Sequence, residues 1–234
     1  MIEIVLATAN PHKVDELRQI FANVNTNVIS LGDLPNHSRF HEPVENGATF
    51  AANAEIKARS YAAQTQRLCL ADDSGLEVDA LGGAPGVISS HYSTEGRETG
   101  LTRPQRDEAN NQRLLRELAN IPLERRSARF VCHMCLVGPA GNVLATSRGA
   151  FEGRIGLPFP EAMRASESPV QGGADPLLVP RGMNGFGYDP LFLVAPDFTR
   201  TSAELSADMK NSLSHRGQAA RVLSEFIRRG VIGL

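Results

Sequence analysis

The sequence predicts an α/β protein, and three observations carry that prediction. Apolar runs of strand type open the chain at Ile2–Ala7 and recur at Leu68–Ala71, Ala128–Val137 and Leu191–Val194. Segments of helical periodicity lie between and after them, at Val14–Phe21, Phe50 to about Gln64, Glu108–Ala119 and the C-terminus. The first strand passes directly into the first helix through Thr8-Ala9-Asn10-Pro11-His12-Lys13. No internal repeat or low-complexity linker interrupts the chain, so residues 1–234 read as a single domain.

The first helix has a well-specified start, because Asn10 suits the N-cap and Pro11 the first helical position. Leu17, Ile20 and Phe21 then face inward. A strand–loop–helix start exposes backbone N–H groups and the positive end of the helix dipole, which suits phosphate, and Lys13 adds a full charge there. An ordinary capped helix is the alternative, since no Walker A pattern occurs. In the second helix Thr49 is the expected N-cap, and Asn53 and Lys57 share one face at a spacing of four. That pair is either a solvated flank or a face turned to a cleft whose edge carries Glu45.

The run Leu68–Ala71 is expected to stop at two adjacent carboxylates, Asp72 and Asp73, with Ser74 and Gly75 making a sharp turn. Two neighbouring carboxylates repel in a low-dielectric cleft unless a cation sits between them, and a hard divalent ion takes such oxygen ligands. A polar turn joining two strands is the plainer reading. Gly82–Val87 reads as a fixed, irregular loop and Ser93–Arg106 as a polar one. Val143–Gly149 is expected to pair with Ala128–Val137 as a hairpin across Pro139-Ala140-Gly141. Cys132 and Cys135 match Cys-x-x-Cys. Residues three apart in a strand point to opposite faces, so two ordinary buried thiols are expected.

Ile155–Gly182 holds five prolines and reads as an inserted loop without chemistry of its own. Gly185 and Gly187 flank Phe186, which is either a buried aromatic in a tight turn or a stacking platform for a nucleobase. Ser214 is the expected N-cap of the last helix, which puts His215 and Arg216 in its first turn, where the dipole disfavours cations. Two such residues there suggest that they bind something with acceptor atoms.

Composition narrows the class. A net charge of -2 gives no footprint for duplex nucleic acid or an acidic membrane, and an absent Trp with only 3 Tyr leaves little for strand stacking. No secretory signal pattern or spanning segment is read from the chain, and 3 cysteines make a disulfide framework improbable, so a cytoplasmic setting is expected.

Six blocks in order carry a resemblance: Thr8–Lys13, Glu45–Ala58, Ala71–Leu76, Gly82–Val87, Gly185–Pro190 and Ser214–Gly217. Together they resemble the RdgB-type XTP/dITP diphosphatases, house-cleaning purine nucleotide pyrophosphatases related to eukaryotic ITPases. Ala52 stands where that family usually has Glu, and Ile155–Gly182 is longer than its usual connection. The resemblance implies an ITPase-like fold, a mixed twisted sheet with flanking helices and two lobes around a central cleft, usually in a homodimer. It implies hydrolysis of ITP, dITP and XTP to the monophosphate and pyrophosphate. Thr8, Ala9, Asn10, Pro11, His12, Lys13 and Lys57 would then hold the triphosphate, and Glu45 and Asp73 would carry Mg²⁺. Asp73 would accept the proton of the attacking water, and Ser74 would touch the substrate. Phe186, Gly187, Tyr188, Asp189, Lys210, His215 and Arg216 would form the base and sugar site. The rival readings are a pyrophosphatase for modified pyrimidine nucleotides, in the manner of Maf-like proteins, and a nucleotide-binding regulator without catalysis.

Overall fold

Parity along the strands decides which side chains meet. The computed structural model of the chain describes residues 2–8, 11–22, 26–159 and 175–230. Its elements, in order, are β1 (Ile2–Leu6), α1 (Pro11–Phe21), β2 (Thr26–Ser30), α2 (Phe50–Thr65), β3 (Cys69–Val78), α3 (Arg103–Glu117), β4 (Ser127–Val137) and β5 (Val143–Ile155). There follow β6 (Leu157–Pro158), β7 (Leu178–Val179), β8 (Phe192–Val194), α4 (Ala207–Leu213) and α5 (His215–Arg228), with short 3₁₀ turns between several of them. The main sheet has the order β2-β1-β3-β4-β5-β8. It is mixed: β1 runs parallel to β2 and β3, and β5 antiparallel to β8. The chain divides into two compact units, Met1–Ser74 with Val131–Ala150 and Asn211–Leu234, and Gly75–Phe130 with Phe151–Lys210.

The first unit is three-layered. Ile4, Leu6, Leu68, Leu70, Cys132, Met134 and Leu136 pack with Val14, Leu17 and Phe21 of α1 and Ala220, Leu223 and Ile227 of α5. The residues of opposite parity, Val5, Ala7, Cys69, Ala71, Cys135 and Val137, pack with Ala54, Ala58, Tyr61 and Ala62 of α2. Successive strand side chains point to opposite faces, so one run of apolar residues supplies two cores. Cys132 and Cys135 accordingly lie in different cores as free, buried thiols. Fully burying each Leu or Phe contributes roughly 1.5–3 kcal/mol, so α1 is held chiefly by Leu17 and Phe21 rather than by helix propensity.

The second unit packs Leu76 and Val78 of β3, Phe151 and Ile155 of β5, and Phe192–Val194 against Tyr92, Leu114, Leu118 and Tyr188. Arg126 is buried among them and, among the described residues, forms no ion pair with a carboxylate. Its guanidinium donates instead to the carbonyls of Leu118, Ile121 and Gly156, capping the end of α3 and fixing the chain after β5.

The structure departs from the sequence reading in three places. β3 does not stop at Asp72 but runs unbroken through Asp72-Asp73-Ser74-Gly75 to Val78. Gly75 is not among the glycines with positive φ, so it makes no turn. α3 starts at Arg103, several residues before the expected Glu108, on a Thr102/Gln105 capping box with Pro104 in its first turn. β5 extends to Ile155 rather than ending near Gly149. Of the expected insertion, β6 and β7 pair as a small parallel sheet at its two ends, while residues 160–174 lie outside the described residues.

Candidate active site

The unbroken strand has a direct electrostatic consequence. Asp72 and Asp73 are consecutive in β3, so they leave it on opposite faces and meet different partners. Asp72 continues the parity of Leu68 and Leu70 and meets α1 and α5. Lys13 Nζ donates to both its oxygens at 3.0 and 2.8 Å, and Arg216 Nε to Oδ2 at 3.3 Å. Arg216 also donates from Nη1 to Glu16 at 3.0 Å and from Nη2 to the Ser74 hydroxyl at 3.3 Å. Ser214, the N-cap of α5, accepts from Gly217 N–H and donates to Glu16. Two carboxylates thus offset the arginine in the first turn of α5, where the dipole alone would disfavour it. Burial would raise the pKa of Asp72, but Lys13, Arg216 and Lys57 hold its carboxyl far below the usual carboxylate range.

Asp73 continues the parity of Cys69 and Ala71 and meets α2. Lys57 Nζ lies 3.2 Å from Asp73 and 2.8 Å from Glu45, so the two carboxylates converge on one ammonium. Burial and the Glu45 charge raise the pKa of Asp73 against the pull of Lys57. Asn53 lies near enough to favour its ionised form, yet Oδ2 is buried and no group among the described residues reaches it with hydrogen-bond geometry. Lys57 loses from burial and gains more from Asp73, Asp72 and Glu45, so its pKa is raised and it stays charged.

The loop that brings Glu45 there is fixed by α2. Thr49 accepts from Ala52 N–H as the N-cap, and Asn53 Oδ1 accepts from Gly47 N–H at 2.8 Å. A Cβ on Gly47 would come within 2.7 Å of Asn53 Oδ1 and 2.8 Å of the Ala52 methyl, so only glycine permits that approach.

In the second unit Phe186 is 43% exposed between Gly185 and Gly187, both at positive φ. Asp189 holds the turn from below, its Oδ2 accepting from Phe186 N–H at 2.8 Å and Lys210 at 2.5 Å, its Oδ1 from Ser202 at 2.8 Å. Helix α3 holds it from the side: Asp107 accepts from Gly187 N–H and Asn111 donates to Gly187 carbonyl, both at 3.0 Å. Tyr188 is buried, its hydroxyl donating to the Ser89 carbonyl at 2.8 Å.

The expected residues therefore fall into definite groups. Lys13, Asp72, Ser74 and Arg216 form one cluster, Glu45, Lys57 and Asp73 a second, and Phe186–Asp189 with Lys210 a third. Arg216, expected with the base and sugar group, has its donors engaged by Asp72, Glu16 and Ser74. Thr8 and His215 are described; Ala9 and Asn10, like the side chains of Pro11 and His12, lie outside the described residues. Glu16, Asp107 and Asn111 escaped the sequence reading. Glu16 carried a signal, since it lies three residues from Lys13 on the same helix face.

The Ham1 family model matches residues 4–226, nearly the whole chain. The chain belongs to the Ham1 family. Among its Ham1 relatives, a dITP/XTP pyrophosphatase of Rhodopirellula baltica is 42% identical over 223 residues, 95% of this chain and 91% of that one. Another, from Frankia alni, is 46% identical over 227 residues, 97% and 98% of the two chains. The HAM1 protein structure from Coxiella burnetii superposes with a TM-score of 0.77 at 36% identity, covering 98% of this chain and all of that one. A nucleoside-triphosphatase and dITP/XTP pyrophosphatase from Mycobacterium abscessus gives 0.67 at 38% identity, covering 95% and 98%. The Ham1 fold is thus the mixed α/β architecture that the six sequence blocks implied.

Proposed function

We propose that this Ham1-family chain hydrolyses the non-canonical purine triphosphates ITP, dITP and XTP to the monophosphate and pyrophosphate. The observation that carries this is the division of labour at β3: one carboxylate locked among cations, its neighbour paired with Glu45 around Lys57 with a buried oxygen left over. Lys13 and Lys57 would grip the polyphosphate tail by exchanging carboxylate partners for phosphate oxygens, Lys57 being released as Glu45 and Asp73 turn to a cation. Asp73 would accept the proton from the water that attacks the α-phosphorus. The new oxygen–phosphorus bond forms as the bridging oxygen departs with pyrophosphate. Its raised pKa suits that task, whereas Asp72, held ionised by two neighbouring cations, is a poor proton acceptor.

Glu45 and Asp73 would hold Mg²⁺. They fit it because both are oxygen donors, they converge within one ammonium's reach, and Asp73 Oδ2 is buried without a hydrogen-bond partner. A bound Mg²⁺ neutralises phosphate charge and lowers the barrier to in-line displacement. Phe186, set by Asp189 and α3, would stack the base. A cytoplasmic homodimer completes the proposal; the three free, buried cysteines suit a reducing compartment, and light scattering tests the dimer.

The deciding assay is product identity. Pyrophosphate released from ITP with Mg²⁺, abolished by chelation, is expected. Orthophosphate as the first product would overturn the mechanism, and faster turnover of modified pyrimidine nucleotides would overturn the substrate class.

A further inference from the structure

Helix α3 does more at the Phe186 turn than hold Gly187. The Arg103 guanidinium carbon sits 4.3 Å from the centroid of the Phe186 ring, while Lys210 Nζ is 5.7 Å from it. Lys210 is neutralised by Asp189 at 2.5 Å. Arg103 is not: among the described residues no carboxylate lies within ion-pair distance of it, and it packs on the ring itself. The other charged groups nearby make their direct contacts elsewhere. Asp107, one turn along α3, accepts from Gly187 N–H, and Arg106 faces Glu98 and His91. An exposed aromatic platform therefore carries one uncompensated planar cation.

We propose that Arg103 sets a preference for xanthine over hypoxanthine nucleotides. The inference rests on the reading of Phe186 as the base platform and deepens it. Both bases stack equally well, since each is a planar purine. They differ in charge: xanthine has a second ring carbonyl and gives up a ring proton near neutral pH, whereas hypoxanthine stays neutral there. A guanidinium beside the stacked base stabilises the anionic ring and offers donors to the extra carbonyl, and neither gain is available to hypoxanthine. Placing the cation on a ring rather than on a carboxylate keeps its charge available to a ligand.

The test compares kcat/KM for XTP and ITP, in the unmodified protein, Arg103→Leu and Arg103→Lys, at about pH 5 and about pH 8. The XTP/ITP ratio of the unmodified protein should rise with pH. Arg103→Leu should lower it roughly two- to fivefold at the higher pH, the scale of a cation–π contact at an exposed site, and change it little at the lower. Arg103→Lys should restore most of it. A ratio flat between the two pH values in the unmodified protein overturns the inference without any variant. So does an equal loss for both nucleotides in Arg103→Leu, which would make Arg103 a prop for Phe186 alone. Pyrophosphate from neither nucleotide with the unmodified protein would overturn the proposed activity itself, a different failure.

Discussion

Replacing either aspartate of β3 by asparagine removes one negative charge and almost no volume, yet the two variants should fail in different ways. The Asp72 side chain is 3% exposed and faces Arg216, 8% exposed, and Lys13, 19% exposed. Breaking a buried ion pair by removing one partner costs about 3–5 kcal/mol, because the other charge is left uncompensated. Arg216 keeps Glu16 and Lys13 has some access to water, so the lower end applies, about 3 kcal/mol. For a chain of this size that is a fall in Tm of roughly 6–12 °C. Asp73 faces the opposite balance: burial already penalises its charged form, so Asp73→Asn should leave Tm nearly unchanged. Its turnover should fall by roughly 10²–10⁴, the contribution of a positioned base, while nucleotide binding largely survives. The assays are thermal denaturation and pyrophosphate release on both variants. The pH dependence adds a sign. The folded pKa of Asp72 lies well below its ordinary 3.8, so its stabilisation is present above that value and fades as pH falls below it. The Tm gap between wild type and Asp72→Asn should therefore narrow in acid. Wild-type turnover in Asp73→Asn, or an unchanged Tm in Asp72→Asn, would refute the reasoning.

Gly47→Ala should push the Glu45 loop off α2, because the new methyl meets Asn53 and Ala52; a several-fold rise in the Mg²⁺ concentration for half-maximal activity is expected, with Tm little changed. Phe186→Ser should raise KM for ITP by about five- to 150-fold, given that base–aromatic stacking is worth roughly 1–3 kcal/mol, and leave kcat less affected. Arg126→Met should lower stability by at least about 2 kcal/mol in urea denaturation, since two buried carbonyls and one part-buried carbonyl lose their donor. Equal stability in that variant would show that water reaches those carbonyls.

Much of this was legible from residue patterns. The caps Thr49 and Ser214 were read from their types and positions, and both accept the N–H three residues on. Strand parity alone assigns Cys132 and Cys135 to opposite faces, and they lie in different cores. The same rule, applied to Asp72 and Asp73, would have separated the carboxylates as well, but Ser74 and Gly75 are strong turn formers in isolation. Tertiary context overrode them: with Leu76 and Val78 buried beyond, continuing the strand gains more than turning. The start of α3 was missed although Thr102 and Gln105 spell a capping box, because the surrounding residues are polar and carry no apolar period. The contacts of Asp107, Asn111 and Arg103 with the Phe186 turn span some 80 positions of sequence and have no local signal.

A single peptide unit in β3 separates the acid locked among cations from the acid proposed to react. The two acids are next-door neighbours along the chain and both feel Lys57, yet their hydrogen-bonding partners differ: Lys13 and Arg216 for one, Lys57 for the other. Sliding that stretch by one residue would turn each acid to the other's face, handing the surroundings of Lys13 and Arg216 to the acid proposed to take a proton. On the proposed mechanism, the alignment of this strand sets which acid would take the proton and which would stay charged.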